Sequence, residues 1–78
     1  MKEIEIFVLN NCPNCKRLEM MLDKAGIRYT AYNIESSTEA LAEAAYRGIV
    51  SEQYPVVYIN GRRLPANTPS RYFEEITE

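Results

Sequence analysis

The alternation of apolar and polar positions predicts a strand followed directly by a helix at the start of the chain. Between residues 3 and 9, two glutamates alternate with two isoleucines before the chain becomes fully apolar. This pattern is typical of a strand that enters a buried sheet. Apolar residues then recur at helical spacing from Pro13 to Ala25, and Gly26 suits the position just after a helix end.

The next two segments predict a second strand and a second helix. Residues 27 to 34 form a β-rich run that alternates in side-chain type without showing which face is buried. Ser36 and Glu39 have the spacing of a capping box, which predicts a helix with Ser36 at its N-cap. This Ala-rich helix is predicted to end at Gly48.

The last part of the chain predicts a hairpin and a third helix. Val56 to Ile59 is a predicted strand, and Asn60-Gly61 is a strong two-residue hairpin signal before a short partner strand over residues 62 to 64. Thr68 and Pro69 have the residue types of an N-cap and a first helical turn, so they predict the start of the last helix.

The resulting order, β-α-β-α-β-β-α, predicts an α/β fold. Right-handed crossovers place the first and second strands parallel, with the hairpin beside them. We therefore expect a central four-stranded mixed sheet with helices on both faces. The 78 residues are enough for about one small domain, so residues 1–78 are expected to form a single domain.

Composition and charge exclude several classes of function. The chain has 46% hydrophobic and 26% charged residues and a formal net charge of −2, as expected for a soluble globular protein. The basic pairs Lys16-Arg17 and Arg62-Arg63 are too small for a nucleic-acid footprint. No long apolar segment predicts a signal peptide or a membrane span. We expect a cytoplasmic monomer that binds neither nucleic acid nor membrane.

Cys12 and Cys15, the only cysteines, lie where the first strand passes into the first helix. A thiol at the first turn of a helix faces unpaired backbone N–H groups and the positive end of the helix dipole, which favour the thiolate. Cys12 can then attack a disulfide, and Cys15, about one turn further on, can displace the substrate from the mixed disulfide. The pair therefore predicts a redox dithiol.

A small metal-binding module is the alternative function. Small copper carriers also place Cys-x-x-Cys after a first strand, but they run β-α-β-β-α-β and usually have Met shortly before the first cysteine, where this chain has Asn10-Asn11. A closed four-ligand zinc site needs two more Cys or His. The chain has no His, so zinc or an iron–sulfur cluster would require a dimer that shares Cys12 and Cys15.

Two segments and the final helix resemble the thioredoxin superfamily, and by its shortness the chain is similar to a glutaredoxin. The segments are 7–16, which contains Cys-Pro-Asn-Cys, and 54–61, which begins Tyr-Pro-Val-Val. The resemblance implies a thiol-disulfide oxidoreductase that reduces protein or glutathione mixed disulfides. It also implies a cis peptide bond at Pro55 and backbone contacts from Tyr54 to an extended substrate. Pro13, Asn14 and Thr68 are the other expected substrate-binding residues.

The chain departs from the glutaredoxin pattern in three places that concern the electron donor. Asn14 replaces the usual Tyr or Phe, Asn10-Asn11 stands where a Lys is usual, and Pro65-Ala66 replaces a Gly-Gly pair, with Thr68 near the position of an Asp that helps to hold glutathione. Glutathione and a thioredoxin-reductase-like flavoenzyme therefore both stay open as donors. The expected substrate is a disulfide-containing protein or small molecule, and no bound cofactor or metal is expected.

Overall fold

A four-stranded mixed sheet forms the middle layer of the protein. The computed structural model describes residues 2–51 and 53–78. The elements in chain order are β1 (Ile4–Val8), α1 (Pro13–Lys24), β2 (Thr30–Asn33), α2 (Thr38–Tyr46), β3 (Val56–Ile59), β4 (Arg62–Arg63) and α3 (Pro69–Thr77). The predicted order and the predicted α/β fold class are confirmed. Within the described residues, no helix is long and apolar enough to cross a membrane.

The strands lie in the order β2-β1-β3-β4. β1 and β2 are parallel, with Phe7 opposite Tyr32, whereas β3 runs antiparallel to β1, with Val56 opposite Phe7 on its other side. β4 pairs antiparallel with β3 through the predicted hairpin. Asn60 and Gly61 both have positive φ, 52° and 80°, as a two-residue type I′ turn requires. β1 is thus an inner strand, which explains why its sequence becomes wholly apolar.

The larger core lies between the sheet and the helices α1 and α3. Alternate residues of β1 point to this face, and each is almost fully buried. The buried members of this core are Ile4, Ile6, Val8, Cys15, Leu18, Leu22, Val57, Tyr72 and Ile76. Full burial of one large apolar side chain contributes about 1.5 to 3 kcal/mol, so this face is the main source of stability.

The second core lies between the other face of the sheet and α2. Phe7, Val56 and Tyr58 are buried against Ala44, and Tyr32 of β2 packs at the edge of this group. The ring of Phe7 stacks on that of Tyr32 at a centroid distance of 4.6 Å. The second strand therefore turns Tyr32 towards α2, while Tyr29 packs against the opposite core. This settles the orientation that the sequence pattern left open.

Two predicted boundaries were wrong. The N-cap of α2 is Ser37, whose Oγ accepts the Ala40 N–H at 3.2 Å, and not Ser36. The N–H of Ser36 instead donates to Oδ1 of Asn33, so Ser36 belongs to the turn before the helix. The second strand begins at Thr30 rather than Ile27, because its pairing with β1 starts there.

A charged cluster joins α2 to the sheet over the aromatic rings of the second core. Arg47 contacts Glu5 and Glu43, each with an N–O distance of 2.7 Å, and the side chain of Glu5 is only 12% exposed. The guanidinium carbon of Arg47 lies 4.7 Å from the ring centre of Tyr58 and 5.2 Å from that of Phe7. Hydrogen bonds from Arg47, together with its charge, lower the pKa of the Glu5 carboxyl against the opposing effect of burial.

We expect Glu5→Gln to lower the free energy of unfolding by about 1 to 2 kcal/mol at neutral pH, because Arg47 loses its charged partner. The lowered pKa of Glu5 stabilises the folded protein above the ordinary value of 4.5, and this contribution is lost as the pH falls through the folded-state pKa. In urea denaturation over an acidic pH series, the difference in free energy of unfolding between Glu5→Gln and wild type should therefore shrink as the pH falls below 4.5. The exposed Glu3→Gln is the matched control, and a pH-independent difference for Glu5→Gln would contradict this role.

Candidate active site

Cys12 and Cys15 form a disulfide at the start of α1. Cys12 is the N-cap residue, with extended backbone angles, and Pro13 occupies the first turn. The two sulfur atoms differ in their surroundings: Cys15 is 1% exposed and belongs to the larger core, whereas Cys12 is partly exposed. An incoming substrate can therefore reach Cys12 but not Cys15.

Two backbone N–H groups of α1 donate to Cys12, one to its sulfur and one to its carbonyl oxygen. The Cys15 N–H donates to Sγ of Cys12 at 3.2 Å, and the Lys16 N–H donates to the Cys12 carbonyl at 3.1 Å. The first turn of α1 carries no acidic residue. We expect this helix start to favour a thiolate at Cys12 in the reduced protein, because an N–H group and the helix dipole both stabilise negative charge there.

The loop before β3 faces the disulfide. The Tyr54–Pro55 peptide bond is cis, which confirms the expectation drawn from the resemblance. The carbonyl oxygen of Tyr54 lies 3.7 Å from Sγ of Cys12. Pro55 is buried and Tyr54 is half-buried, so the backbone of Tyr54 lies directly beside the accessible sulfur.

A cleft of about 650 Å³ surrounds Cys12. Its lining comes from four separate segments: Leu9, Asn11, Cys12, Pro13, Asn14, Gln53, Tyr54, Pro55, Ala66, Asn67, Thr68 and Tyr72. Every candidate site residue named from the sequence lies here except Cys15, which is buried behind Cys12. Gln53 and Asn67 were not named, because no local motif marks them and only the fold brings them to the cleft.

Thr68 lies at the far side of the cleft, where α3 begins. Its hydroxyl accepts the Arg71 N–H at 3.3 Å, which confirms the predicted N-cap. The Thr68 N–H donates to Oδ1 of Asn67 at 2.9 Å, and the Asn67 N–H donates to the buried Tyr72 hydroxyl at 3.1 Å. These polar groups already have partners within the chain, so a ligand at this helix start has fewer free donors than an uncapped helix would offer.

The loop before Cys12 is tied to the turn between β2 and α2. Oδ1 of Asn10 accepts hydrogen bonds from Asn33 and Ser36, at 3.0 and 3.2 Å, and the Asn10 N–H donates to Glu35 at 2.7 Å. Asn11 then adopts a φ of 54°, a left-handed conformation that Asn tolerates better than most residues. The two asparagines therefore shape the backbone that leads to the reactive sulfur.

Among residues 2–51 and 53–78, no group of three or more Cys, His, Asp or Glu side chains is placed to hold a metal ion. The order of elements also differs from the β-α-β-β-α-β order of the copper carriers. The chain therefore does not have the element order of the copper carriers.

An inner β1 that passes into a Cys-x-x-Cys helix, opposite a loop with a cis proline, defines a protein of the thioredoxin fold with a disulfide site. The Glutaredoxin family model matches residues 4–64. The chain therefore belongs to the glutaredoxin family.

Solved structures show the same fold. A mutant of the thioredoxin-like protein BC3987 is similar with a TM-score of 0.76 at 20% identity, covering 97% of this chain and 100% of that one. A glutaredoxin from Archaeoglobus fulgidus is similar with a TM-score of 0.70 at 23% identity, and the match covers 100% of this chain and 89% of that one. The glutaredoxin of a buckwheat glutaredoxin–glutathione complex is similar with a TM-score of 0.68 at 19% identity, and the match covers 97% of this chain and 69% of that one. A search of curated proteins found no match. The family and the Cys12–Cys15 disulfide together support a thiol-disulfide oxidoreductase.

We expect Asn11→Ala to destabilise the protein by about 1 kcal/mol, because a Cβ-bearing residue without a polar side chain is disfavoured at positive φ. Asn11→Gly should be nearly neutral, since glycine adopts this conformation readily. Urea denaturation of the oxidised protein measures both. Equal losses for the two variants would show that the Asn11 side chain, and not its backbone angle, sets the effect.

Proposed function

We propose that the protein reduces disulfides in proteins or mixed disulfides with glutathione, with Cys12 as the attacking thiol and Cys15 as the resolving thiol. The observation that carries this proposal is the unequal placement of the two sulfur atoms. Cys12 lies in an open cleft and receives a backbone N–H at 3.2 Å, whereas Cys15 is 1% exposed behind it. A thiolate nucleophile must be reachable, while a resolving thiol need only reach its neighbour.

The reaction transfers two electrons from the dithiol to the substrate. The Cys12 thiolate attacks one sulfur of the substrate disulfide, forms a mixed disulfide and expels the other sulfur as a thiolate, which takes up a proton. Cys15 loses its proton and attacks Sγ of Cys12, which releases the remaining substrate thiol. The product on the protein is the Cys12–Cys15 disulfide present in the structure. A donor must then return two electrons to the protein.

The cleft supports binding of an extended substrate across Tyr54. The carbonyl oxygen of Tyr54 lies 3.7 Å from Sγ of Cys12. The backbone N–H and C=O groups of the Tyr54–Pro55 loop can form hydrogen bonds with an extended substrate segment, as a neighbouring strand would. In this proposal Pro13 and Asn14 contact the substrate on one side of Cys12, and Thr68 contacts it on the other.

Glutathione and a thioredoxin-reductase-like flavoenzyme are the two proposed donors. A buckwheat glutaredoxin of the same fold has been crystallised with glutathione. In this chain, however, the Asn67 and Thr68 N–H groups and the Thr68 hydroxyl already have intrachain partners. A flavoenzyme donor, which binds through a protein surface, would depend less on these groups than glutathione does. If glutathione is the donor, a glutathione adduct on Cys12 is expected in a glutathione buffer; if a flavoenzyme is the donor, the adduct is not expected.

The helix start affects release more than attack. Stabilising the Cys12 thiolate increases the thiolate fraction at neutral pH, but it lowers the intrinsic nucleophilicity of each thiolate by a nearly compensating factor. A stabilised Cys12 thiolate is, however, a better leaving group when a second thiolate, such as that of glutathione, attacks the substrate-side sulfur of a mixed disulfide with Cys12. The hydrogen bond from the Cys15 N–H therefore mainly promotes this release of Cys12 and sets the redox balance of the pair.

We expect Cys12→Ser to abolish disulfide exchange, because no accessible nucleophile remains. Cys15→Ser should keep any one-thiol reaction with glutathione mixed disulfides and should trap protein substrates as stable mixed disulfides. Turnover assays with both substrate types, and non-reducing gels for trapped species, measure the difference. Loss of both reactions in Cys15→Ser would contradict the division of roles.

A redox titration in glutathione buffers tests the function itself. Acid quenching, alkylation and intact mass separate the dithiol, the Cys12–Cys15 disulfide and a glutathione adduct. A reversible intramolecular disulfide with a midpoint roughly between −300 and −120 mV supports the oxidoreductase. A glutathione adduct on Cys12 favours glutathione as donor. If no intramolecular disulfide forms, or if a metal shared between two chains blocks alkylation, the metal-binding alternative replaces this proposal.

A further inference from the structure

A second groove runs along the outer face of α1 and begins at Pro13, the residue after Cys12. Its volume is about 360 Å³, and it is lined by Pro13, Lys16, Arg17, Met20, Met21 and Lys24. We call it the α1 groove. These residues are three, four, seven, eight and eleven positions beyond Pro13, so they follow one face of the helix. Pro13 also lines the cleft around Cys12, so the two depressions lie on either side of this residue.

The α1 groove combines apolar side chains, Met20 and Met21, with basic side chains around them. Met20 is 56% exposed, so an apolar side chain faces solvent on the helix that begins at Cys12. Lys16, Arg17 and Lys24 are exposed, and none of them forms an ion pair within residues 2–51 and 53–78. None of the six residues that line the groove is acidic.

The acidic residues of α1 lie on a different flank of the helix. Glu19 and Asp23 line a separate depression beside Tyr29, and Asp23 accepts a hydrogen bond from the Tyr29 hydroxyl at 3.0 Å. The charges of α1 are therefore segregated, although the chain as a whole has a formal net charge of −2. Segregated charge around an apolar surface gives orientation and partner selectivity in protein association.

We infer that the α1 groove selects protein substrates in which an apolar side chain, flanked by carboxylates, follows the reactive cysteine. This inference rests on the proposed function, because the groove is placed to act on whatever is bound to Cys12. Methionine suits such a surface, since its flexible side chain adapts to different apolar partners. The partner is thus a disulfide-containing protein segment of acidic and apolar character.

Helix geometry fixes where the apolar side chain must be. Met20 lies about 10 Å along α1 from Pro13 at 1.5 Å per residue. An extended segment spans that distance in about three residues. Lys16 and Arg17 then face a carboxylate about two residues from the substrate cysteine, and Lys24 faces one beyond the apolar residue. A peptide of sequence Cys-Gly-Glu-Leu-Glu meets these requirements.

Single-turnover reduction of peptide disulfides by the reduced protein tests this selectivity. The probes are the symmetric disulfide of Cys-Gly-Glu-Leu-Glu, the same peptide with Lys for both Glu, and the same peptide with Ser for Leu. Bis(2-hydroxyethyl) disulfide is too small to reach the groove and serves as the internal control. At low salt we expect the acidic peptide to react roughly tenfold faster than its Lys counterpart, with a smaller difference at high salt.

Two variants locate the effect. Met20→Ser and Lys24→Glu should each slow reduction of the acidic peptide by roughly three- to fivefold and leave the small disulfide unaffected. The matched controls are Leu41→Ser and Arg62→Glu. Leu41 is an exposed apolar residue on α2, and Arg62 is an exposed cation on β4. Equal rates for all peptides, or unchanged rates in Met20→Ser and Lys24→Glu, would overturn the inference while leaving the proposed function intact.

A binding experiment separates this inference from the redox chemistry. The peptide Ser-Gly-Glu-Leu-Glu, which has no thiol, is titrated into the isotope-labelled oxidised protein, and amide shifts are followed by NMR. We expect saturable shifts at Met20 and Met21 that the Lys peptide does not produce. If the small disulfide is not reduced, the proposed function fails, and this titration still decides whether the α1 groove binds an acidic segment. No shifts along α1 would overturn the inference.

Discussion

The hydrogen bond from the Cys15 amide to the Cys12 sulfur, 3.2 Å long, is the constraint on which the site depends. It requires Cys12 to stand at the N-cap of α1, outside the helix but against its first N–H groups. The same geometry directs Cys15 into the core, so one backbone arrangement makes one sulfur accessible and the other protected. The chemistry proposed for the pair follows from that asymmetry rather than from the presence of two thiols alone.

The sheet brings the rest of the site to this helix start. Because β1 and β3 are antiparallel neighbours, with Phe7 opposite Val56, the end of β1 and the beginning of β3 meet at one edge. That register places the Tyr54–Pro55 loop beside Cys12. On the face of the sheet that packs against α2, Arg47 joins Glu5 of β1 to α2 and covers the ring of Phe7. The strand that leads to the dithiol is therefore held from both faces.

Local signals predicted what depends on local geometry. Pro13 after Cys12, the Asn60-Gly61 turn and Thr68-Pro69 each marked an element boundary that the structure contains. The α2 cap was misplaced because Ser36, Ser37 and Thr38 are all good capping residues, and only contacts with Asn33 assign Ser36 to the turn. The Glu5–Arg47 pair joins residues 42 positions apart, so no sequence period could indicate it. The same holds for Gln53 and Asn67, which reach the cleft only through the fold.

The most direct test of the central claim is the pH dependence of alkylation in the reduced protein. Limited iodoacetamide treatment across a pH series, followed by peptide mass analysis, measures the reactivity of each cysteine separately. The account predicts that Cys12 reacts first and that its rate is half-maximal below the ordinary cysteine value of about 8.5, while Cys15 stays protected. Faster alkylation of Cys15, or a Cys12 profile at or above the ordinary value, would contradict it.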